Sequence, residues 1–416
     1  MKILILNDDF PPNCDGGAGQ IASQLAEGYV EQGHEVDVLT AISGKRLAIS
    51  SPYKISYIPI SYDSRWRAYL SIWNPKASKL IKKFFKENGS YDIVHAHNVH
   101  QLLTYNSLKI AKKHAKKVVI TFHDVMSFSY GRLATDKYLK NFNYKLSFID
   151  HIKQAGILWN PLRNFFIKRI LKKVDVKIAV SHALKDALEA NGIEIDDVIY
   201  NGIDLPSSTE SVLRRTSGEA PLDSALCEEP HSRKASDKQT IFFGGRMNRD
   251  KGLYQLLDAF RLIKSSHPEA SIVIAGDKSK AEALTNKYRH SEDLVDKIKF
   301  TGKLRRKEFI EAISNCDICV TPSICFDSFP TVNLEAMALG KPVIATHYGG
   351  SKELILDEQT GFIVDPFDTK TFAKKLDYLL SDRNRAIEMG KAGRKLIEEK
   401  FSLEKQIENY LKFFQT

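Results

Sequence analysis

The chain reads as an α/β protein of two doubly wound, Rossmann-like domains facing a cleft. Three observations carry that reading. The chain has 416 residues, and a single core stops growing at about 250–300 residues. Short apolar runs alternate with longer amphipathic stretches through both halves. The runs are unbroken in Val, Ile and Leu instead of alternating apolar with polar, which marks strands buried on both faces of a parallel sheet. Strand followed by helix in that rhythm implies βαβ units.

In chain order, strands are expected at 2–6, 35–40, 55–60, 92–95, 117–122, 176–180 and 198–200. Helical spacing fills most of the gaps, for example at 18–32, 76–86 and 182–191. Asn201-Gly202 suits a turn with positive φ. Residues 206–239 are rich in Ser, Glu, Arg and Pro and poor in aliphatics, so they read as a linker or surface insertion between domains at 1–205 and 240–401. The second half repeats the pattern, with strands at 240–243, 271–275, 297–300, 317–321, 342–345 and 362–364. Three helices, 370–380, 383–400 and 403–414, close the chain with apolar residues three and four apart.

Composition narrows the class. No apolar run approaches the ~20 residues that span a bilayer, and the apolar start of the chain meets Asn7, Asp8 and Asp9 too soon for a signal peptide. Five cysteines are too few and odd in number for a disulfide framework. A soluble, cytoplasmic protein is expected, either free or peripheral at the inner face of the cytoplasmic membrane through its first domain. Its net charge is +10. Residues 1–204 hold 28 basic and 20 acidic side chains, so most of the surplus lies in the first half. Clusters at Lys76–Lys86, Lys109–Lys117 and Arg163–Lys173 are either solvated helix faces or a surface for an anionic partner.

Three segments carry chemistry. The loop from Phe10 to Gly19, with Gly16 and Gly17, follows the first strand and opens a helix, where backbone N–H groups can approach a phosphate. Its Gly17-Ala18-Gly19-Gln20-Ile21-Ala22 imitates a dinucleotide fingerprint, but about nine residues separate it from the strand that should run straight into it. Phe243-Gly244-Gly245-Arg246 to Lys251-Gly252 places two cations at the carboxyl end of a domain's first strand, where the ligand crevice of such sheets lies. In Pro322 to Ala338, Asp327 falls in a loop and Glu335 inside a helix starting near Thr331, whose first amides, Thr331 and Val332, suit a phosphate.

This last segment resembles the E-x7-E region of the retaining glycosyltransferases of family four, which have the GT-B fold. The resemblance extends over nearly the whole chain. It includes Asp92-Ile93-Val94-His95-Ala96-His97, Thr121-Phe122-His123-Asp124, Asn201-Gly202-Ile203-Asp204, Gly245-Arg246…Lys251-Gly252 and Gly340-Lys341-Pro342. It implies an enzyme that moves a sugar from a UDP- or GDP-sugar to a cell-surface glycan or lipid-linked acceptor without a covalent nucleophile. Glu335 then matches the glutamate on the ribose hydroxyls, Arg246 and Lys251 the pair on the leaving diphosphate, and Thr331 and Val332 the amides near its phosphates. Gly16 and Gly17 match the loop that closes over them, and His123 a histidine near the reacting sugar. Lys303, Leu304 and Asp327 lie where donor base and sugar are selected, and Phe329 joins the donor-binding residues. Two departures stand out: Asp327 replaces the usual glutamate, with a shorter reach, and Phe329-Pro330 replaces the commoner Phe-Gly and removes an amide. The resemblance also implies that a last helix, 402–416, packs back on the first domain.

No two aspartates stand two apart, so no metal site of the Asp-x-Asp kind is expected, and no cofactor. Cys316 and Cys319 read as structural strand cysteines, and His95, His97 and His100 as structural or cleft-lining. In 158–174, apolar Leu158, Trp159, Leu162, Phe165, Phe166, Ile170 and Leu171 face away from basic residues. Such a helix can pack on a sheet, the reading we favour, or lie on an acidic membrane. A nucleotide-sugar epimerase or another GT-B enzyme is the alternative activity. A nucleic-acid partner lacks any aromatic-rich basic motif to support it.

Overall fold

The computed structural model describes residues 1–12, 14, 16–42, 51–204, 239–286, 294 and 296–415. It divides into two compact units, Met1–Asp204 with Leu403–Thr416, and Leu205–Ser402. Residues 206–238 of the expected linker lie outside the described residues.

The first unit holds a parallel sheet of seven strands: β1 (Lys2–Asn7), β2 (Glu35–Ile42), β3 (Lys54–Pro59), β4 (Tyr91–Ala96), β5 (Ala115–Phe122), β6 (Val176–Ala179) and β7 (Asp197–Val198). Their order is β3-β2-β1-β4-β5-β6-β7. The chain winds outward from β1 to one edge, then returns to β4 and winds to the other. The middle strands are buried almost throughout, and Ile3, Ile5, Ile93 and Val119 share one core with Ile21, Leu25 and Tyr29 of the helix Gly17–Glu31. The unbroken aliphatic runs express this two-sided burial.

The terminal helix Leu403–Gln415 belongs to this unit. Ile407, Tyr410 and Phe414 enter its core, and the Leu403 amide donates to Ile203 O at 3.0 Å. Tyr410 Oη sits 3.0 Å from Thr121 Oγ1.

The second unit has six parallel strands: β8 (Thr240–Gly244), β9 (Ser271–Ala275), β10 (Ile298–Gly302), β11 (Ile318–Thr321), β12 (Val343–Thr346) and β13 (Gly361–Val364). The order β10-β9-β8-β11-β12-β13 puts the reversal of winding between β8 and β11. Its core joins Ile241, Ile272, Ile318 and Ile344 to Leu256, Phe260 and Phe372 of the flanking helices. All thirteen expected strands are present. The expected last strand of the first sheet, 198–200, forms slightly earlier, as Asp197–Val198.

Candidate active site

In an open parallel sheet, the loops leaving the two strands at the reversal of winding part to either side and leave a crevice at their carboxyl ends. In the second unit these strands are β8 and β11, and both motif loops leave from there. Gly245, with φ of 126°, turns the chain out of β8 while its amide donates to Ala275 O at 3.0 Å. A 3-10 turn, Arg249–Lys251, follows and ends in Gly252. Gly252 has φ of 77°, and a Cβ there would lie 1.8 Å from Pro322 O. The Ile324 amide donates to Asp250 O at 2.8 Å. Backbone contact between the two loops therefore leaves no room for a side chain at 252.

That contact brings Lys251 Nζ onto Asp327 Oδ2, a salt bridge between residues 76 positions apart. Ser323 Oγ donates to the same oxygen at 3.2 Å. The Asp327 backbone is held as well: it bridges to Gly349, and its carbonyl accepts from the Gly350 amide at 2.9 Å. Loops following β8, β11 and β12 thus fix one carboxylate and one ammonium.

Pro330 precedes the helix Thr331–Ala338, with φ of −64° suited to a helix entry. Thr331 and Val332 supply amides that no earlier turn of the helix can accept. Asn333 ties this helix to its neighbours, its Oδ1 accepting from Thr321 Oγ1 at 2.7 Å and its Nδ2 donating to Ser351 Oγ at 3.3 Å. Glu335 is buried one turn inside, at 5% exposure. Its Oε1 accepts from Arg306 Nη1, while its Oε2 is buried with no hydrogen-bond partner. A buried carboxylate oxygen without a donor is costly.

Arg306 opens the helix Arg306–Ser314, just beyond Lys303 and Leu304. No spacing in the sequence distinguishes it from its basic neighbours. Lys303 and Arg246 are exposed, and Leu304 is half-buried. Phe329 is buried and packs against Phe401, with ring centroids 5.8 Å apart. The structure therefore brings together Lys251 with Asp327, and Glu335 with the unanticipated Arg306.

Gly16, Gly17 and His123 lie in the first unit. Gly16 caps the helix Gly17–Glu31 in extended conformation, and a Cβ there would meet nothing within 4 Å. Neither sterics within the unit nor backbone strain demands glycine at 16. Asn13 and Asp15 of this loop lie outside the described residues. His123 follows β5, and its Nε2 is 2.9 Å from His97 Nδ1. Burial pushes the His123 imidazole down to about 4, against the opposing pull of Asp124, so it is neutral at physiological pH. One of the paired ring nitrogens must donate and the other accept. His95 is a core residue: its ring nitrogens meet Tyr29 Oη at 3.2 Å and Thr121 Oγ1 at 2.9 Å. Cys316 and Cys319 are buried free thiols, and burial pushes Cys316 up to about 12, which leaves it unreactive.

The family model described as Glycosyltransferase Family 4 matches residues 15–206, and that described as Glycosyl transferases group 1 matches residues 228–396. Together they take in most of the chain, and the protein belongs to these GT-B glycosyltransferases. It is a transferase. The chain is 30% identical over 246 residues to YtcC of Bacillus subtilis, named as a glycosyltransferase, a match spanning 56% of this chain and 58% of that protein. Sucrose-phosphate synthase from Thermosynechococcus elongatus shares the fold with a TM-score of 0.72 at 21% identity, over 100% of this chain and 98% of that one. HepE of Anabaena, solved in complex with UDP-glucose, shares it with a TM-score of 0.65 at 20% identity, over 100% and 99%.

Proposed function

We propose that the chain is a retaining glycosyltransferase that moves a sugar from a UDP- or GDP-sugar to a cell-surface glycan or lipid-linked acceptor, with no metal ion. The partnerless buried Oε2 of Glu335 carries this reading. A ribose diol supplies the hydroxyl donors that oxygen lacks, while Arg306 holds the other oxygen and so orients the carboxylate. Breaking the sugar–phosphate bond builds negative charge on the diphosphate, which fixed cations and amides can stabilise. Lys251, Arg246 and the amides of Thr331 and Val332 are assigned that task. Lys251 has three N–H donors and spends one on Asp327, so its position is set while others remain for phosphate oxygens.

Asp327 takes the donor sugar's hydroxyls. Its shorter arm is held by Lys251 and Ser323, and its backbone by Gly350. The acceptor oxygen attacks on the face from which the diphosphate leaves and passes its proton to a leaving phosphate oxygen, so no protein nucleophile is required. Gly16 and Gly17 keep the phosphate-approach role that the resemblance implies. His123 is a neutral hydrogen-bonding group at the reacting sugar. Lys303 and Leu304 select among donors. The UDP-glucose complex of the similar HepE fold supports a nucleotide-sugar donor.

A thermal-shift screen against UDP-, GDP- and ADP-sugars tests this. One of them should raise the melting temperature, and silence from all three would sink the proposal. Turnover abolished by EDTA and restored by Mn²⁺ would overturn the metal-free mechanism.

A further inference from the structure

The helix Arg163–Leu171 turns two phenylalanines outward. Its sequence pattern favours packing through a face that includes Leu162, Phe165, Phe166, Ile170 and Leu171. The structure buries Leu171 of that face, but with it Ile167 and Arg163, the latter at 2% exposure. The Arg163 guanidinium donates to Met126 O and to Asn164 Oδ1, and lies 4.8 Å over the Tyr130 ring. These contacts fix the helix rotation and leave Leu162 56%, Phe165 58% and Phe166 42% exposed. The preceding helix, Phe148–Ala155, buries none of its residues, with Phe148 and Ile149 both more than 60% exposed. Ile157 between the two helices is fully exposed.

A second segment adjoins this one. Tyr69 Oη donates to Trp159 O at 3.4 Å, and Asn160 Nδ2 donates to Ala68 O at 3.1 Å. Trp66 and Trp73 beside this junction are more than half exposed. Ring contacts of Trp66 with Tyr69 (centroids 6.1 Å apart) and of Phe148 with Trp159 (4.5 Å) carry this junction into each segment, and exposed apolar surface gathered in this way marks an interaction site.

Charge identifies the occupant. Within 148–173, Lys153, Arg169, Lys172 and Lys173 are exposed and Lys168 is half-buried, against one acidic residue, Asp150, so the surface carries a local positive surplus without the buried Arg163. Arg169, Lys172 and Lys173 continue the helical spacing of three and four from Phe165 and Phe166, which sets cations beside the exposed rings. A second copy docking through the same face would set the two copies' surpluses against each other. A nucleic acid would satisfy the cations but gain nothing from Ile149, Ile157 and Leu162. An anionic bilayer satisfies both, since apolar and aromatic side chains enter the boundary of headgroup and acyl chain while Lys and Arg meet headgroup phosphates.

We propose that the surface formed by residues 66–73 and 148–173 of the first unit docks on an anionic lipid membrane. The docking stands on this surface alone. Only its purpose, access to a lipid-linked acceptor, rests on the proposed function.

Co-sedimentation of the full chain with vesicles of phosphatidylcholine, and of phosphatidylcholine with phosphatidylglycerol, tests it. The wild type should bind the mixed vesicles and leave the neutral ones largely unbound. The variant Ile149→Ser/Phe165→Ser/Phe166→Ser should lower that partition by about tenfold or more. Lys172→Glu/Lys173→Glu, at two exposed positions, should lower it by about fivefold per residue. Melting temperature and nucleotide-sugar binding, measured on the same samples, should stay at wild-type values in both. Equal binding to both lipids, binding to neither, or wild-type partition of the triple variant would overturn docking. So would a wild-type dimer that the triple variant abolishes without any vesicle binding. Absence of nucleotide-sugar binding by the wild type, with docking intact, would sink only the proposed donor and not the docking.

Discussion

Glu335→Gln isolates the charge at the centre of the proposed donor site. The replacement is nearly isosteric, so it opens no cavity in a helix whose residues from Asn333 to Ala338 are all buried. In the free chain the lost charge weakens one interaction, the pair with Arg306, whose side chain is 36% exposed and therefore screened. That costs about 1 kcal/mol or less, a melting shift of about 2–4 °C for a unit of this size. With ligand bound the loss is larger. Hydrogen bonds to a charged group contribute about 1.5–3 kcal/mol and neutral ones about 0.5–1.5. Two ribose hydroxyls facing an amide instead of a carboxylate should therefore lose roughly 2–3 kcal/mol between them, which weakens UDP binding about 30- to 150-fold. Calorimetric titration of UDP into wild type and variant measures this directly. An unchanged Kd in a folded variant would refute the argument from the partnerless oxygen.

Three further outcomes follow from the same geometry. Lys251→Met should cut turnover by about 10²- to 10³-fold with little change in KM, because it removes charge that matters when the diphosphate leaves; steady-state kinetics checks the split. Gly349→Ala forces a Cβ to within 2.1 Å of Asp327 O at φ of 85°, so it should destabilise the second unit by about 2 kcal/mol or more, read by urea unfolding. The third outcome concerns acid. Burial pushes His95 down to about 3, His123 to about 4, and His97 well below an ordinary imidazole. Folded values below the unfolded value mean that the folded first unit takes up fewer protons. Its stability is full above about pH 6.5 and is lost as pH falls towards 4 and 3, by up to about 1.4 kcal/mol per pH unit for each imidazole involved. Melting temperature against pH should fall less steeply for His97→Asn than for wild type.

Much of the site was legible because its parts are local. A glycine pair after a strand, a lysine beside a glycine, and an acid one turn into a helix all show in short windows. Arg306 was not legible, since it meets Glu335 across 29 positions and nothing near it in sequence marks it. The packing of Phe329 was not legible for a related reason: its partner Phe401 comes from the end of a distant helix.

By itself the sequence determined that this chain is two parallel α/β units, because apolar periodicity and strand length are properties of consecutive residues. It determined, too, which residue types stand at the strand ends. Tertiary structure alone decided two things. The order β10-β9-β8-β11-β12-β13 set Lys251 against Asp327, since adjacency in a parallel sheet depends on crossovers and not on nearness in the chain. The rotation of the helix Arg163–Leu171 put an arginine inside and phenylalanines outside. A helical period shows which residues share a face, but the neighbours that accept Arg163, Met126 O and Tyr130, lie more than thirty positions away and settle which face is covered.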